Sequence, residues 1–483
     1  VFKFNGSFSI LNFELREKVP VLNALLAWEL NDGKKFKELL GMFVESALKR
    51  GKIRVSKKMV IGTEINLVTS LNLKQKLLNT ARLGYCIFNN MFLLGSEESL
   101  ERVLQNLQKP KEKSLGTNEV FIQCKKKINA NPIIFGFLNL AGILDRVKTM
   151  IPDKKVIDVL DMLGLLELKF ISTAFLSAGE DFSVKTTFSA NRLDKGLLKV
   201  LSGEDVVDVP AVIPDDIADF SQYHFHFEVL FQTLDKVVAQ HFPEKYPFFA
   251  MGMSMVPGMI GATVEELLKS IGPGYTVFSR YEKPYNLKSE RKCLLMQIRN
   301  HTKLQEILNT LLDTGKLGKV DKVEYLENTI FKLNVPQPDS GNEKMQKLLG
   351  KDLTSPGFCL LKEFLIFSND LEMIKNILRR KAKVTSSFKN KEEFKKLISM
   401  LPEKLNQVSF TNMEKLGEFF TTLLKNKEIL NLIKNPKVKK LVESGYIDKL
   451  VPMISKIPWM GKGLSVDATD INILTFLKFS NFK

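Results

Sequence analysis

Apolar residues recur along this chain with two periods, and one succession of those periods occurs twice. Leu25, Leu26, Ala27, Trp28 and Leu30 form a nearly continuous apolar run that predicts a strand. Asn31 and Asp32 interrupt it, and their side-chain oxygens suit the N-cap of a following helix. Phe36, Leu39, Leu40 and Phe43 then recur at helical spacing, with Lys34, Lys35, Lys37 and Glu38 between them. Lys292 to Leu308 aligns with Ala24 to Leu40 without a gap. In that second stretch Leu294, Leu295, Met296 and Ile298 predict the strand and Asn300 takes the cap position. Leu304, Ile307, Leu308 and Leu311 supply the helical stripe. Apolar size is kept at matched places while polar identity drifts, the pattern of a shared core rather than a shared catalytic site.

The correspondence continues downstream. Gly84 to Phe88, a turn at Asn89-Asn90 and Met91 to Leu94 predict a hairpin, followed by a helix that Ser96 caps. Gly357 to Leu361, a turn at Lys362-Glu363 and Phe364 to Phe367 predict its counterpart, followed by a helix capped by Asp370. Phe135 to Asn139 matches Val408 to Asn412, and Phe182 to Ala190 loosely matches Asn472 to Ser480. The expected class is α+β: two tandem copies of a mainly antiparallel sheet-plus-helices module of roughly 270 residues. The first module covers 1–212 and the second 213–483, with Pro210 and Pro214 at the joint. Val1 aligns near Tyr275 to Phe278, so the first copy lacks its N-terminal part, and the expectation is a natural chain longer by at least about 60 residues.

Other stretches are expected as follows. Phe2 to Phe13 is one or two strands, and Lys52 to Val68 is rich in strand. Lys109 to Ser114 is a charged link and Val335 to Asn342 a surface loop. Glu119 to Cys124 reads as a strand, and Phe220 to Leu230 as a strand that then passes into an amphipathic helix to about Ala239. Gly272-Pro273-Gly274 reads as a turn. Phe388 to Leu401 reads as a basic amphipathic helix, and Met413 to Leu450 as interrupted helix.

Composition adds one strong feature, a formal charge of +17. It suits an acidic partner, such as an anionic envelope surface, or simply a Lys-rich solvated exterior. The lysines are dispersed, and the denser runs lack interleaved aromatics, so no nucleic-acid partner is expected. Four cysteines are too few for a disulfide scaffold, and Cys86 and Cys359 fall at matched strand positions as small core residues.

Two stretches carry candidate chemistry. Tyr246 to Val264 bears no charge over a length that would cross a bilayer, but Pro247, Pro257 and its glycines argue against a spanning helix. It reads either as a buried loop and short helix under the sheet or as a soft apolar surface. In the second case Phe248, Phe249, Met251, Met253, Met255 and Met259 would bind an apolar ligand or a partner helix. Ser254 lies in Gly-Met-Ser-Met-Val, which lacks the closing glycine of a nucleophile elbow. His224, His226 and Glu228 alternate to one side of the predicted strand and would begin a zinc site, with His241 or an acid as a further ligand. The alternative is the polar face of a half-buried strand. No phosphate loop, dinucleotide fingerprint or metalloprotease helix is present, and no cofactor is expected. All four histidines lie in the second copy, so a duplicated His-based active site is excluded.

The strand, the Asn/Asp turn and the Lys-Phe-Lys-Glu-Leu-Leu helix at Lys35 to Leu40 form part of a wider pattern. With the Gly84-Tyr85 hairpin and the helix opening at Gly95-Ser96-Glu97-Glu98, they resemble a bacterial family catalogued as a domain of unknown function. Many of its members occur in planctomycete-type bacteria. The resemblance implies an exported, extracytoplasmic α+β module, in the periplasm or cell envelope, and supplies no catalytic residues. The expected function is therefore a non-catalytic binding or scaffold protein in an envelope or protein assembly. A carrier of a lipid or other apolar ligand is the alternative, and a metal-dependent enzyme the third reading.

Overall fold

The structure is a computed structural model that describes residues 2–16, 19–49, 53–70, 83–108, 115–128, 132–151, 153–178, 181–201, 208–334, 355–383, 386–426, 444–445 and 456–479. The fold is α+β. Two compact units divide it, Val1–Phe135 and Gly136–Lys483.

In the first unit β1 (Phe2–Arg16) and β2 (Val19–Leu30) lead into α1 (Gly33–Lys49). Two hairpins follow, β3 (Ile53–Val60) with β4 (Thr63–Ser70) and β5 (Leu83–Phe88) with β6 (Met91–Ser96). Helices α2 (Glu97–Gln108) and α3 (Glu119–Ile128) complete the unit. Its six strands run in the order β1-β2-β6-β5-β4-β3. Leu25, Ile65, Cys86, Leu93, Leu100 and Leu104 form the core between this sheet and α2.

The second unit is built on a 13-stranded sheet. It opens with β7 (Ile134–Asn139), α4 (Leu140–Met150), α5 (Lys154–Met162), β8 (Leu168–Ala178) and β9 (Asp181–Ala190). Then come β10 (Asp219–His224) and three helices, α6 (Phe227–His241), α7 (Tyr246–Ile260) and α8 (Val264–Ser270). They are followed by β11 (Ile271–Tyr281), β12 (Glu290–Ile298), α9 (His301–Asp313) and the hairpin β13 (Val320–Tyr325) and β14 (Asn328–Leu333). A second hairpin, β15 (Gly357–Leu360) and β16 (Phe364–Ser368), precedes α10 (Leu371–Ala382) and α11 (Glu392–Ser399). The unit closes with β17 (Gln407–Asn412), α12 (Met413–Lys425), β18 (Trp459–Val466) and β19 (Asp470–Lys478).

The duplication is visible in strand order and in register. The order β11-β12-β16-β15-β14-β13 in the large sheet repeats β1-β2-β6-β5-β4-β3 of the small one. Trp28 sits between Gly6 and Phe92, and its counterpart Met296 sits between Tyr275 and Leu365. Asn66 pairs Tyr85 as Phe331 pairs Phe358. The β3–β4 turn places Ile61 and Gly62 at positive φ, and the β13–β14 turn does the same with Leu326 and Glu327. Such two-residue turns match the right-handed twist of the strands they join. The core repeats as well: Cys293, Ile330, Cys359, Ile366, Ile374 and Leu378 take the places of the first unit's core residues. Cys86 and Cys359 are both buried.

The repeat and the compact units divide the chain at different places. The reason is β9, which pairs with β19 along its whole length, from Asp181 opposite Lys478 to Ser189 opposite Asp470. That pairing draws β7 to β9 into the large sheet, where β17-β18-β19 and β9-β8-β7 meet in mirrored order.

Several expectations are corrected. Gly6, rather than Val1, is the counterpart of Tyr275, as the shared Trp28/Met296 register requires. Glu119 to Cys124 lies in helix α3, whose first turn is capped by the Asn118 carboxamide accepting from the Phe121 N–H at 3.0 Å. Gly272 to Gly274 lies inside β11, at the register shift between Ile271 and Tyr275. Phe220 to Leu230 leaves the strand after His224 and is helical from Phe227. Lys109 to Ser114, Val335 to Asn342 and most of 427–450 lie outside the described residues.

Candidate partner-binding surface

Helix α7 occupies nearly the whole charge-free stretch, where a buried loop and short helix under the sheet was the expectation. Pro247 stands in the first turn, where a missing N–H costs nothing. Pro257 is tolerated one turn from the end, and Gly261 closes the helix at φ 71°, its N–H donating to the Pro257 carbonyl. A Cβ on Gly261 would lie 2.9 Å from the Thr310 hydroxyl oxygen of α9, so glycine here permits both the turn and the close approach. Thr263 then caps α8 in a reciprocal pair with Glu266.

The helix divides its apolar residues between two faces. Phe249 turns inward and lies 6.4 Å from the Phe231 ring of α6, while Met253 is half-buried. Phe248, Met251, Met255 and Met259 project outward, 72 %, 58 %, 60 % and 47 % exposed. Their spacing of three, four and four places them on one side of the helix. Unbranched, polarisable methionine side chains adapt to varied apolar shapes, and such a patch is on the order of a few hundred Å². Ser254 donates its hydroxyl hydrogen to the Met251 carbonyl at 2.8 Å, a bond that spends its proton within the helix. Among the described residues no single helix is long and apolar enough to cross a membrane.

The histidine stretch is arranged differently from its expected alternation. His224 ends β10, His226 is the N-cap residue of α6, and Glu228 lies in that helix's first turn. The His226 Nδ1 lies 3.4 Å from the Glu228 carboxylate, which also accepts from Arg299 at 3.1 Å. Burial pushes the Glu228 carboxyl upward, yet the helix-start N–H and Arg299 outweigh it and hold the group below its ordinary range. His241, at the far end of α6, places its Nε2 3.0 Å from the Met162 sulfur. Among the described residues no group of three or more His, Cys, Asp or Glu is set to hold a metal ion.

A polar cluster that sequence reading did not find lies where β10, β11 and β12 adjoin. Tyr281 donates to the Asp219 carboxylate at 3.2 Å, and burial followed by the Asp219 charge pushes its hydroxyl well above the ordinary tyrosine range. Glu282 accepts from Arg280 at 2.8 Å and from Arg291 at 2.9 Å. The Tyr281–Asp219 bond ties β11 to β10 and the Arg291–Glu282 bond ties β12 to the end of β11, the work expected of a paired, half-buried network.

No family model matches the chain, and no curated protein or solved structure matches it either.

Proposed function

We propose that this protein is a non-catalytic binding or scaffold protein whose contact surface is the outer face of α7. The observation that carries the reading is the alignment of Phe248, Met251, Met255 and Met259, all exposed, along a helix without a single charge. Monomeric proteins seldom leave such contiguous apolar patches bare, and a flexible methionine surface suits an apolar helix or groove on a protein partner. The net charge of +17 would draw an acidic partner or an anionic envelope surface towards it. An envelope or periplasmic setting belongs to the same proposal.

The test is capture from the envelope fraction of the source cells, with the wild-type chain beside a Met251→Glu, Met255→Glu double variant. Recovery of one stoichiometric partner by the wild type only, with equal melting temperatures for both chains, supports the reading. Equal recovery by both chains sinks it. Weakening of the contact in high salt would add the lysine surface to the interaction.

A further inference from the structure

The turn at Asp215-Asp216, just ahead of β10, gathers more positive charge than its carboxylates answer. It lies beside the ends of β11 and β17: the Ala218 N–H donates to the Ser279 carbonyl, and the Ala218 carbonyl accepts from the Asn412 N–H. Arg380, near the end of α10, lies 3.7 Å from the Asp215 carboxylate and donates to the Ser386 carbonyl. Arg280 of β11 lies 3.5 Å from the Asp216 carboxylate. Lys415, in the first turn of α12, donates from its Nζ to the Asp216 carbonyl. Lys391, the N-cap residue of α11, holds its Nζ 5.9 Å from the centre of the Phe410 ring. It is close enough to attract the Asp215 carboxylate and to repel the Lys415 ammonium.

Four cations thus surround two carboxylates. The neighbouring charges do not redress the balance. Glu282 is shared by Arg280 and Arg291, and Asp370 approaches Arg291 at 3.5 Å. With those three groups included, one positive charge remains in excess. Among the described residues neither Lys391 nor Lys415 has a carboxylate at ion-pair distance. Two buried donors are unanswered as well. The Arg280 Nε–H and the Ser387 hydroxyl have no hydrogen-bond partner among the described residues, and Ser387 is only 2 % exposed. Ser387 belongs to the same turn, since the side chain of Ser386 bonds the Asp215 carboxylate. A buried donor left unpaired costs free energy, and two neighbouring ammoniums repel each other. Burial, and then Lys391, holds the Lys415 amine below its ordinary range in spite of Asp216 and Asp215.

We propose that this cluster binds a small oxyanion of the phosphate type between the Lys391 and Lys415 ammoniums, with the Arg280 and Ser387 donors beside them. A phosphate monoester carries about −1.5 to −2 charge at pH 7 and strong acceptor oxygens. It answers both the surplus charge and the unpaired donors, and lysine serves phosphate as a point charge. The site is separate from the outer face of α7 and does not rest on the role proposed for that helix.

The experiment is titration calorimetry of the full chain with inorganic phosphate at low salt, paired with melting temperatures measured with and without phosphate. One site is expected, together with a rise in melting temperature on adding phosphate. Lys391→Gln and Lys415→Gln should each weaken binding roughly tenfold, the loss of one charge-assisted contact. If Lys415→Gln does not fold, Lys391→Gln alone decides. Asp216→Asn removes a charge that repels the anion and should tighten binding roughly threefold. Lys389→Gln, at an exposed lysine beside the site, should change nothing. Absence of both a binding heat and a rise in melting temperature overturns the proposal. So does wild-type affinity in Lys391→Gln, or equal weakening by Lys389→Gln, which would assign the effect to overall charge. Vesicles containing phosphatidic acid separate the two sources of such an anion in a chain that binds phosphate. Sedimentation with them that Lys391→Gln abolishes assigns the site to a lipid headgroup. Sedimentation that is absent, or unchanged by Lys391→Gln, assigns it to a free anion. Sedimentation without any binding of inorganic phosphate overturns the proposal.

Discussion

Matched positions in the two repeats should respond unequally to the same truncation. Ile307 and Leu39 hold the same place on α9 and α1, yet the first is 2 % exposed and the second 43 %. Ile307→Ala removes a buried side chain and leaves a cavity in the core, a loss of about 2–5 kcal/mol. Leu39→Ala removes a side chain that is little more than half covered. Its transfer contribution is reduced in proportion, and water fills the space left behind, so the cost is about 1 kcal/mol. The chain has two tryptophans, Trp28 in the first unit and Trp459 in the second, so fluorescence reports each unit separately. Trp459→Phe leaves the first unit's reporter and Trp28→Phe the second's, which avoids treating the whole chain as one two-state system. With a urea dependence of roughly 2–3 kcal/mol per molar, Ile307→Ala should lower the Trp459 midpoint by about 0.7–2.5 M. Leu39→Ala should lower the Trp28 midpoint by less than about 0.5 M. Equal shifts would refute the reasoning, because they would mean that α1 is as deeply packed as α9.

Other outcomes follow from the same structure. Native protein should react slowly with a thiol reagent at all four cysteines, because burial pushes Cys86 and Cys359 up to about 11 and Cys293 further, and all four are buried. Denaturant should release four equivalents, and rapid native reaction would contradict the burial. Gly461→Ala should destabilise the second unit by about 1–3 kcal/mol, since its Cβ would lie 2.3 Å from Leu397; an unchanged Trp459 midpoint would contradict this. Burial, then the Glu228 charge, pushes the Tyr275 hydroxyl from 10.0 up to about 12. Below that ordinary value the phenol is neutral in both states. Above it the unfolded chain ionises first, so stability falls as pH rises from about 10 towards 12. Tyr275→Phe should flatten the fall in urea midpoint across that window, and parallel curves would contradict the assignment.

Much of the architecture was legible because size conservation at matched places reflects matched registers. Trp28 and Met296 share no chemistry, yet each occupies the same rung between equivalent neighbours. The Asn89-Asn90 turn was legible because both residues tolerate the positive φ that the hairpin imposes. Glu119 to Cys124 is ambiguous in sequence because a short apolar run lacks the length that separates strand from helix; the signal for the helix is the cap at Asn118. Gly272 and Gly274 signal a turn by composition, but they answer to crowding. A Cβ at either would lie within 3 Å of the Gln297 side-chain oxygen. The outward face of α7 was legible only in part. Apolar residues surround that helix, and which of them meet solvent depends on where α6 and α9 lie. The bare stripe of α1 was invisible for the same reason, since α1 and α9 have the same periodicity and differ only in what covers them.

The proposed role of α7 is most directly tested by methionine oxidation footprinting in the presence of the envelope extract. In the free protein Met251, Met255 and Met259 should oxidise quickly, as should Met59, which is exposed on β3, while buried Met373 resists. With the extract present, the three α7 methionines should become protected while Met59 keeps its free rate. Oxidation of Met251, Met255 and Met259 at the free rate, in an extract from which the protein still recovers a partner, would contradict the assignment of that face.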